Sequence, residues 1–350
     1  MTRQTTLYAA TLAVTVVAGF LHFATNSAVA TFVVAGIALG GLAWVVGVGT
    51  ESVGARFGPA ATGVLQSTLG NLPELFIVLF ALSAGETVVA QTSILGSLFA
   101  NALLVLGLAI VAGARQAKDG VMRFSGRLPN DTAILLLLAS FLIVILGVSD
   151  RAGDPASHHQ LAISIVGAVV LLGIYAAWLW SYLRSGDATE PALEASAHHL
   201  PFGRAVALLA AAGVGAALVS DWFVAALDPA VRALGVSKAF TGLVIVAIAG
   251  NAVENVVGIT LAAKGQADLA ISVVKNSVAQ VAVFLFPVLV LLSLFFEHRL
   301  TFVINPVLTG ALALMAISVW AICGDGRAAE FEGWALVGFY AILATLVWFE

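Results

Sequence analysis

The sequence predicts an all-α polytopic membrane protein of about eleven transmembrane helices, arranged as two five-helix inverted repeats plus an extra N-terminal helix. Three observations carry that reading. The 350 residues are 61% hydrophobic and only 10% charged, with a mean hydropathy of +1.06, whereas a soluble domain carries about 25% charged residues. Apolar runs near the roughly 20 residues needed to cross a bilayer recur along the whole chain. One motif, Gly-Asn-x-x-Glu, occurs twice inside such runs, as "GNLPEL" at 70–75 and "GNAVEN" at 250–255.

The spans fall at about 6–23, 28–48, 59–83, 88–113, 131–149, 159–182, 203–221, 238–263, 268–292, 302–322 and 332–349. The first follows Arg3 as the core of a signal peptide would. It runs through "HFATNSAVATF" directly into the second, so it reads as an uncleaved helix occupying residues 1–27. The fifth, "TAILLLLASFLIVILGVS", is 18 residues without a charge. Polar residues interrupt two spans: Gln66, Asn71, Pro73 and Glu74 in the third, and Asn251, Glu254 and Asn255 in the eighth. A polar linker at 183–203 divides the chain into a first half, 28–182, and a second half, 204–350.

Lys and Arg concentrate on the cytoplasmic side of membrane proteins. With the N-terminus inside, inner segments hold Arg3, Arg56, Arg115, Lys118, Arg123, Arg127, Arg184, Arg204, Lys264 and Arg327, and outer segments hold Arg151, Arg232, Lys238 and Arg299. Ten against four places the N-terminus and the 183–203 linker in the cytoplasm, in a cell (plasma) membrane. The net charge of -4 offers no basic patch for nucleic acid. The single cysteine, Cys323, excludes an intramolecular disulfide and a multi-cysteine metal site. His158-His159 and His198-His199 lie in loops and read as solvated pairs. No phosphate-binding glycine loop supports a nucleotide-driven pump.

At a constant offset of 180, Gly70 falls on Gly250, Asn71 on Asn251, Glu74 on Glu254, Gly85 on Gly265 and Ser97 on Ser277. The duplicated element covers about 59–113 and 238–292. Five spans lie between its copies, and an odd number reverses direction. Inverted repeats of this kind mark transporter folds with a site at the repeat interface near the midplane.

An ionisable residue at the bilayer centre is unfavourable by roughly 2.5–3.5 kcal/mol on insertion scales, so it needs a role or a partner. Gly70 and Gly250 let the backbone open and expose carbonyls. Asn, Ser and carboxylate oxygens are hard ligands suited to Ca²⁺ or Na⁺. Glu74 follows Asn71 by three residues on one helix face, and Glu254 follows Asn251 likewise. Two carboxylates meeting at the midplane balance one divalent ion or hold two protons in its absence. That is the chemistry of cation/proton exchange.

The stretches "GPAATGVLQSTLGNLPELFIVLFALSAGETVVAQTSILGSLFANALLVLG" and "KAFTGLVIVAIAGNAVENVVGITLAAKGQADLAISVV" resemble the two α-repeats of the calcium/cation antiporter superfamily, in its cation (Ca²⁺)/proton exchanger branch. The resemblance implies a secondary antiporter without enzymatic chemistry or cofactor, moving inorganic cations against protons by alternating access. It implies Glu74 and Glu254 as principal ligands, with Asn71, Asn251, Ser97 and Ser277 lining the site. "TES" at 50–52 and "SDW" at 220–222 resemble acidic span ends, which makes Glu51 and Asp221 candidate entrance carboxylates.

Two positions depart from the family pattern. Asn255 stands where proton/calcium exchangers usually carry a histidine, and Asn does not titrate near neutral pH. Lys275 stands two residues before Ser277, where the first repeat has Leu95. It either snorkels to the surface or pairs with Glu254 or Glu74 and weakens divalent binding. Both residues are candidate modulators of the site. A Na⁺/H⁺ or Na⁺/Ca²⁺ exchanger of the same fold is the alternative reading, and a cation channel a more distant one.

Overall fold

The structure, a computed structural model, describes residues 3–54, 56, 69–125, 127–184 and 200–350. Gln66 and most of the linker, with His198 and His199, lie outside these residues. The helices are α1 Arg3–Ala24, α2 Ala28–Gly54, α3 Leu72–Ser83, α4 Thr87–Gln116, α5 Arg127–Ala152, α6 Gln160–Arg184 and α7 Phe202–Leu234. They continue as α8 Lys238–Gly250, α9 Ala252–Ala263, α10 Ala267–Phe295, α11 Pro306–Cys323 and α12 Glu330–Trp348. Among the described residues nine helices are long and apolar enough to cross a bilayer, and the count is ten if α8 and α9, bent by 60°, are taken together as one span. Only 69–83 of the expected third span falls within the described residues.

Two compact units form: Met1–Ser93 with Tyr182–Val253 and Trp348–Glu350, and Ile94–Ser181 with Glu254–Val347. Each draws on both halves of the sequence, so units and sequence repeats divide the chain differently.

In the first unit α2 and α7 pack side by side. Lipid tails give little hydrophobic drive between helices, so association relies on close packing over small residues. Gly36 faces the Phe223 ring, Gly49 faces Leu209 and Gly215 faces Leu42. Phe32 and Phe223 stack with centroids 4.5 Å apart. Leu69 and Leu72, on either side of Asn71, pack against the buried cluster of Val45, Val46 and Ala212. That anchorage fixes where the chain breaks at Asn71.

Helix α7 runs to Leu234, well beyond the expected end at 221. Asp221, Asp228 and Pro229 depress the hydropathy, yet Phe223, Leu227, Ala230 and Val231 continue the buried stripe. Gly235, at φ 67, ends the helix with its N–H on the Val231 carbonyl. Asp221 therefore does not end the helix but lies within it, and it is exposed. Just past α7, Lys238 Nζ bonds both carboxylate oxygens of Glu86, at 2.8 and 2.7 Å, and Asp228 at 2.9 Å.

In the second unit α4 and α12 approach backbone to backbone. A Cβ on Gly107 would lie 2.6 Å from the Gly333 carbonyl, and one on Gly333 would lie 2.7 Å from that of Gly107. The all-α expectation needs one amendment: β1 Val121–Arg123 pairs antiparallel with β2 Arg327–Ala329. Met122 seats this ribbon against Gly113, and Arg115 reaches Glu330 at 2.8 Å. Beside β1, the Arg123 guanidinium bonds Asp119 and holds its carboxyl down at about 2.

The duplicated hairpin recurs locally in detail. Helices α3 and α9 are each twelve residues long. Each ends in a glycine at positive φ, Gly85 at 79 and Gly265 at 77. Gly85 N–H donates to Leu82 O at 3.1 Å and Glu86 N–H to Ala81 O at 2.7 Å; Gly265 donates to Ala262 O and Gln266 to Leu261 O, both at 3.0 Å. This six-to-one and five-to-two pairing closes a helix end on a left-handed residue. In each copy the following helix then widens into a π-turn, at Ala100–Val105 and Val281–Leu285.

The close approach gives a stability test along one helix. Gly333→Ala drives a methyl into backbone and should destabilise the protein by about 1–3 kcal/mol. Gly338, with nothing within 4 Å of its ideal Cβ, should tolerate alanine or gain up to about 1 kcal/mol. Thermal melting of the detergent-solubilised variants separates them; equal midpoints would discount the α4–α12 contact.

Candidate cation site

In both motifs a single turn residue, Asn71 or Asn251, interrupts the helical backbone. Asn71 (φ -85, ψ 12) precedes α3, and Asn251 (φ -97, ψ 18) separates α8 from α9. Their near-identical bridge-region backbone interrupts regular helix pairing. Pro73 lies at the start of α3, where its missing N–H is no loss. Broken helices at membrane depth bring backbone carbonyls and helix termini to a site.

In the first unit Glu74 is 3% exposed, Asn71 4% and Asn251 0%. Glu74 occupies the first turn of α3, where the helix dipole favours an anion. Its carboxylate lies against the bare Cα of Gly250: a Cβ there would be 2.8 Å from Oε1 and 3.0 Å from Cδ. Gly250 was expected as a point of backbone opening; here it also makes room for the glutamate. Asn251 Nδ2 donates to the Ala247 carbonyl at 3.0 Å, which orients its Oδ1 as the other atom of the amide. Gly70 is half-buried just before the Asn71 break.

In the second unit Asn101 Nδ2 donates to Ser277 Oγ at 3.1 Å, with the two residues 1% and 7% exposed. Ser97, one turn before Asn101 on α4, is also buried. Asn101 and the buried Gln280 were missed in the sequence. Each is an amide inside an apolar run, but they are 179 positions apart and escape a strict offset of 180.

Glu254 lies in α9 by its backbone, and its side chain is outside the described residues. The structure thus does not bring the two glutamates together in view. Asn255 is half-buried, with its Oδ1 atom fully enclosed. Lys275 is 4% exposed, so protein encloses it and it does not snorkel to the surface; Cys323 lies within its electrostatic reach. Glu51 is half-buried near the end of α2. Among the described residues no cluster of three His, Cys, Asp or Glu side chains could hold a metal ion. The donors are one carboxylate, amides and hydroxyls, a hard oxygen set suited to Ca²⁺ or Na⁺.

These features define a polytopic membrane protein built on a duplicated helical hairpin with buried oxygen donors. The chain belongs to the sodium/calcium exchanger protein family, whose model matches residues 27–183 and 204–349. It is 32% identical over 345 residues to the Ca²⁺/H⁺ antiporter ChaA of Bacillus subtilis (strain 168), covering 97% of this chain and 96% of that one. It is 30% identical over 341 residues to a Ca²⁺/H⁺ antiporter of Synechocystis sp. (strain ATCC 27184 / PCC 6803 / Kazusa), covering 91% of each. Its fold matches the solved structure of native YfkE with a TM-score of 0.81 at 29% identity, over 98% of this chain and 99% of that one.

The Glu74–Gly250 contact is open to test. Gly250→Ala should displace the carboxylate and weaken Ca²⁺ binding by about tenfold, 1.4 kcal/mol, in equilibrium binding to purified protein. Wild-type affinity in a folded Gly250→Ala protein would remove Gly250 from the site.

Proposed function

We propose that this protein is a secondary antiporter that exchanges Ca²⁺ for H⁺ across a cell membrane by alternating access. The observation that carries the reading is the Glu74 carboxylate, buried at a helix break against Gly250. Family membership and the similarity to Ca²⁺/H⁺ antiporters support the choice of ions.

In this mechanism Glu74 and Glu254 are shared cation and proton sites contributed by the two repeats in opposite orientation. Asn71, Asn251, Ser97 and Ser277 complete the ligand set, with Asn101 positioning the Ser277 hydroxyl. Ca²⁺ binds while both carboxylates are ionised; its release to one side is followed by two protons, which neutralise the pair for the return. Antiport follows because the same oxygens serve either cargo and never both. Lys275 lowers the net negative charge of the second repeat, and Glu51 draws cations toward the first.

The N-terminus is assigned to the cytoplasm by the Lys and Arg distribution, and contacts within each unit support the grouping of loops that share a side. Arg115–Glu330 and the β1–β2 ribbon join segments assigned to the inner face. Glu86, Asp228 and Lys238 join segments assigned to the outer face.

Two outcomes test the mechanism. Glu74→Gln and Glu254→Gln keep side-chain volume but lose the charge and the proton site. Each should abolish Ca²⁺/H⁺ exchange in proteoliposomes while leaving folded protein; substantial flux through either variant would refute the shared-carboxylate mechanism. Ca²⁺ affinity should also fall as pH falls from about 8 to 5, because protons compete for the same oxygens and neighbouring carboxylates resist joint ionisation. Affinity flat across that range would count against proton exchange at this site. A panel of cations under imposed pH or Na⁺ gradients distinguishes Ca²⁺/H⁺ from Na⁺-coupled exchange.

A further inference from the structure

We infer that Asn255 supplies its side-chain oxygen as a further direct cation ligand in the second-repeat part of the site; this rests on the cation-site reading above. Three helices of the second unit meet in an apolar contact. A Cβ on Gly258 would lie 2.6 Å from Val274 Cγ2 and 3.7 Å from Val105 Cγ1, so α9, α10 and α4 converge there.

One helical turn from that contact, each helix carries a polar residue on the same face. Asn255 precedes Gly258 by three, Ser277 follows Val274 by three, and Asn101 precedes Val105 by four. Helix α10 runs back against α9 through the tight Gly265 turn. One turn earlier on α9 and one turn later on α10 are therefore the same level. The Asn101–Ser277 hydrogen bond, at 3.1 Å, places the α4 residue at that level too. Asn255 thus belongs to one polar layer with Asn101 and Ser277.

Its Oδ1 is buried and has no hydrogen-bond partner among the described residues. A buried polar atom in that condition calls for an ion or water as its partner. An amide oxygen offers lone pairs and no proton, so it suits a cation and repels an anion. It is a hard, neutral donor of the kind that completes Ca²⁺ coordination. Being neutral, it adds coordination without adding a proton to the exchange cycle, so the titrating groups stay the two glutamates.

The test is equilibrium binding of Ca²⁺ to purified protein at pH 8 and pH 6.5, with thermal melting to establish folding. Asn255→Leu should raise the Ca²⁺ Kd about tenfold at both pH values, leaving the ratio between them as in wild type. Asn255→Asp places a charge on the ion: it should bind Ca²⁺ more tightly at pH 8 and show a steeper loss at pH 6.5. A residue of merely structural importance would produce neither the tightening nor the steeper slope. Because Asp is nearly isosteric with Asn, that variant decides the matter if Asn255→Leu does not fold. A folded Asn255→Leu with Kd within twofold of wild type, or an Asn255→Asp indistinguishable from wild type, overturns the inference. Glu74→Gln in the same assay separates the two levels of the argument. If it binds Ca²⁺ normally, the cation-site reading fails and Asn255 falls with it. If it loses binding while Asn255→Leu binds normally, only the Asn255 assignment fails.

Discussion

A carboxylate held at membrane depth is the constraint on which the first unit is organised. Exposure of such a group to hydrocarbon is unfavourable by several kcal/mol, so the chain must enclose Glu74 and still leave it chemically accessible. The enclosure is specific. Leu69 and Leu72 pin the segment to the α2–α7 pair, Asn71 breaks the helix, and Glu74 follows in the first turn of α3. The bare Cα of Gly250 then receives the carboxylate. A side chain at 250 would occupy that space.

The second unit solves a related problem with neutral groups. Asn101 and Ser277 come from helices that each turn through a π-type segment, at Ala100–Val105 and Val281–Leu285. Such a segment inserts an extra residue into the helical ladder and is frequently found at functional sites. Here it coincides with an amide pointed at a hydroxyl within an otherwise apolar wall. The hydrogen bond satisfies the Asn101 amide N–H and orients the serine oxygen, so a polar pair persists where bare hydrocarbon packing would be cheaper.

Much of this was legible in the sequence because the membrane imposes periodic, uniform runs and the repeat imposes a fixed spacing. The offset of 180 that aligned Gly85 with Gly265 reappears as two turns with the same positive φ. The parts that escaped are those where a local exception breaks the pattern. Helix α7 looked shorter because Asp221, Asp228 and Pro229 lower its hydropathy, whereas burial of Phe223, Leu227 and Val231 keeps it helical. The β1–β2 ribbon pairs three-residue segments that carry no strand signal of their own. Asn101 and Gln280 were hidden because they stand 179 apart, one residue off the repeat register, the first within a π-turn of six residues and the second just before one of five.

The same comparison locates the asymmetry of the site. A perfectly duplicated inverted repeat would present equivalent ligands to each side of the membrane and could not by itself distinguish them. The hairpin geometry is duplicated closely, but the chemistry is not. Lys275 replaces the apolar Leu95, and protein encloses its amine. Asn255 replaces Leu75, putting an oxygen donor where the first repeat has hydrocarbon. Both substitutions lie in the second repeat, one adding an amine and the other a neutral oxygen donor. The first repeat places a buried carboxylate at a helix terminus. In the second repeat, changes of one side chain alter the buried polar groups without disturbing the turn geometry that both copies share.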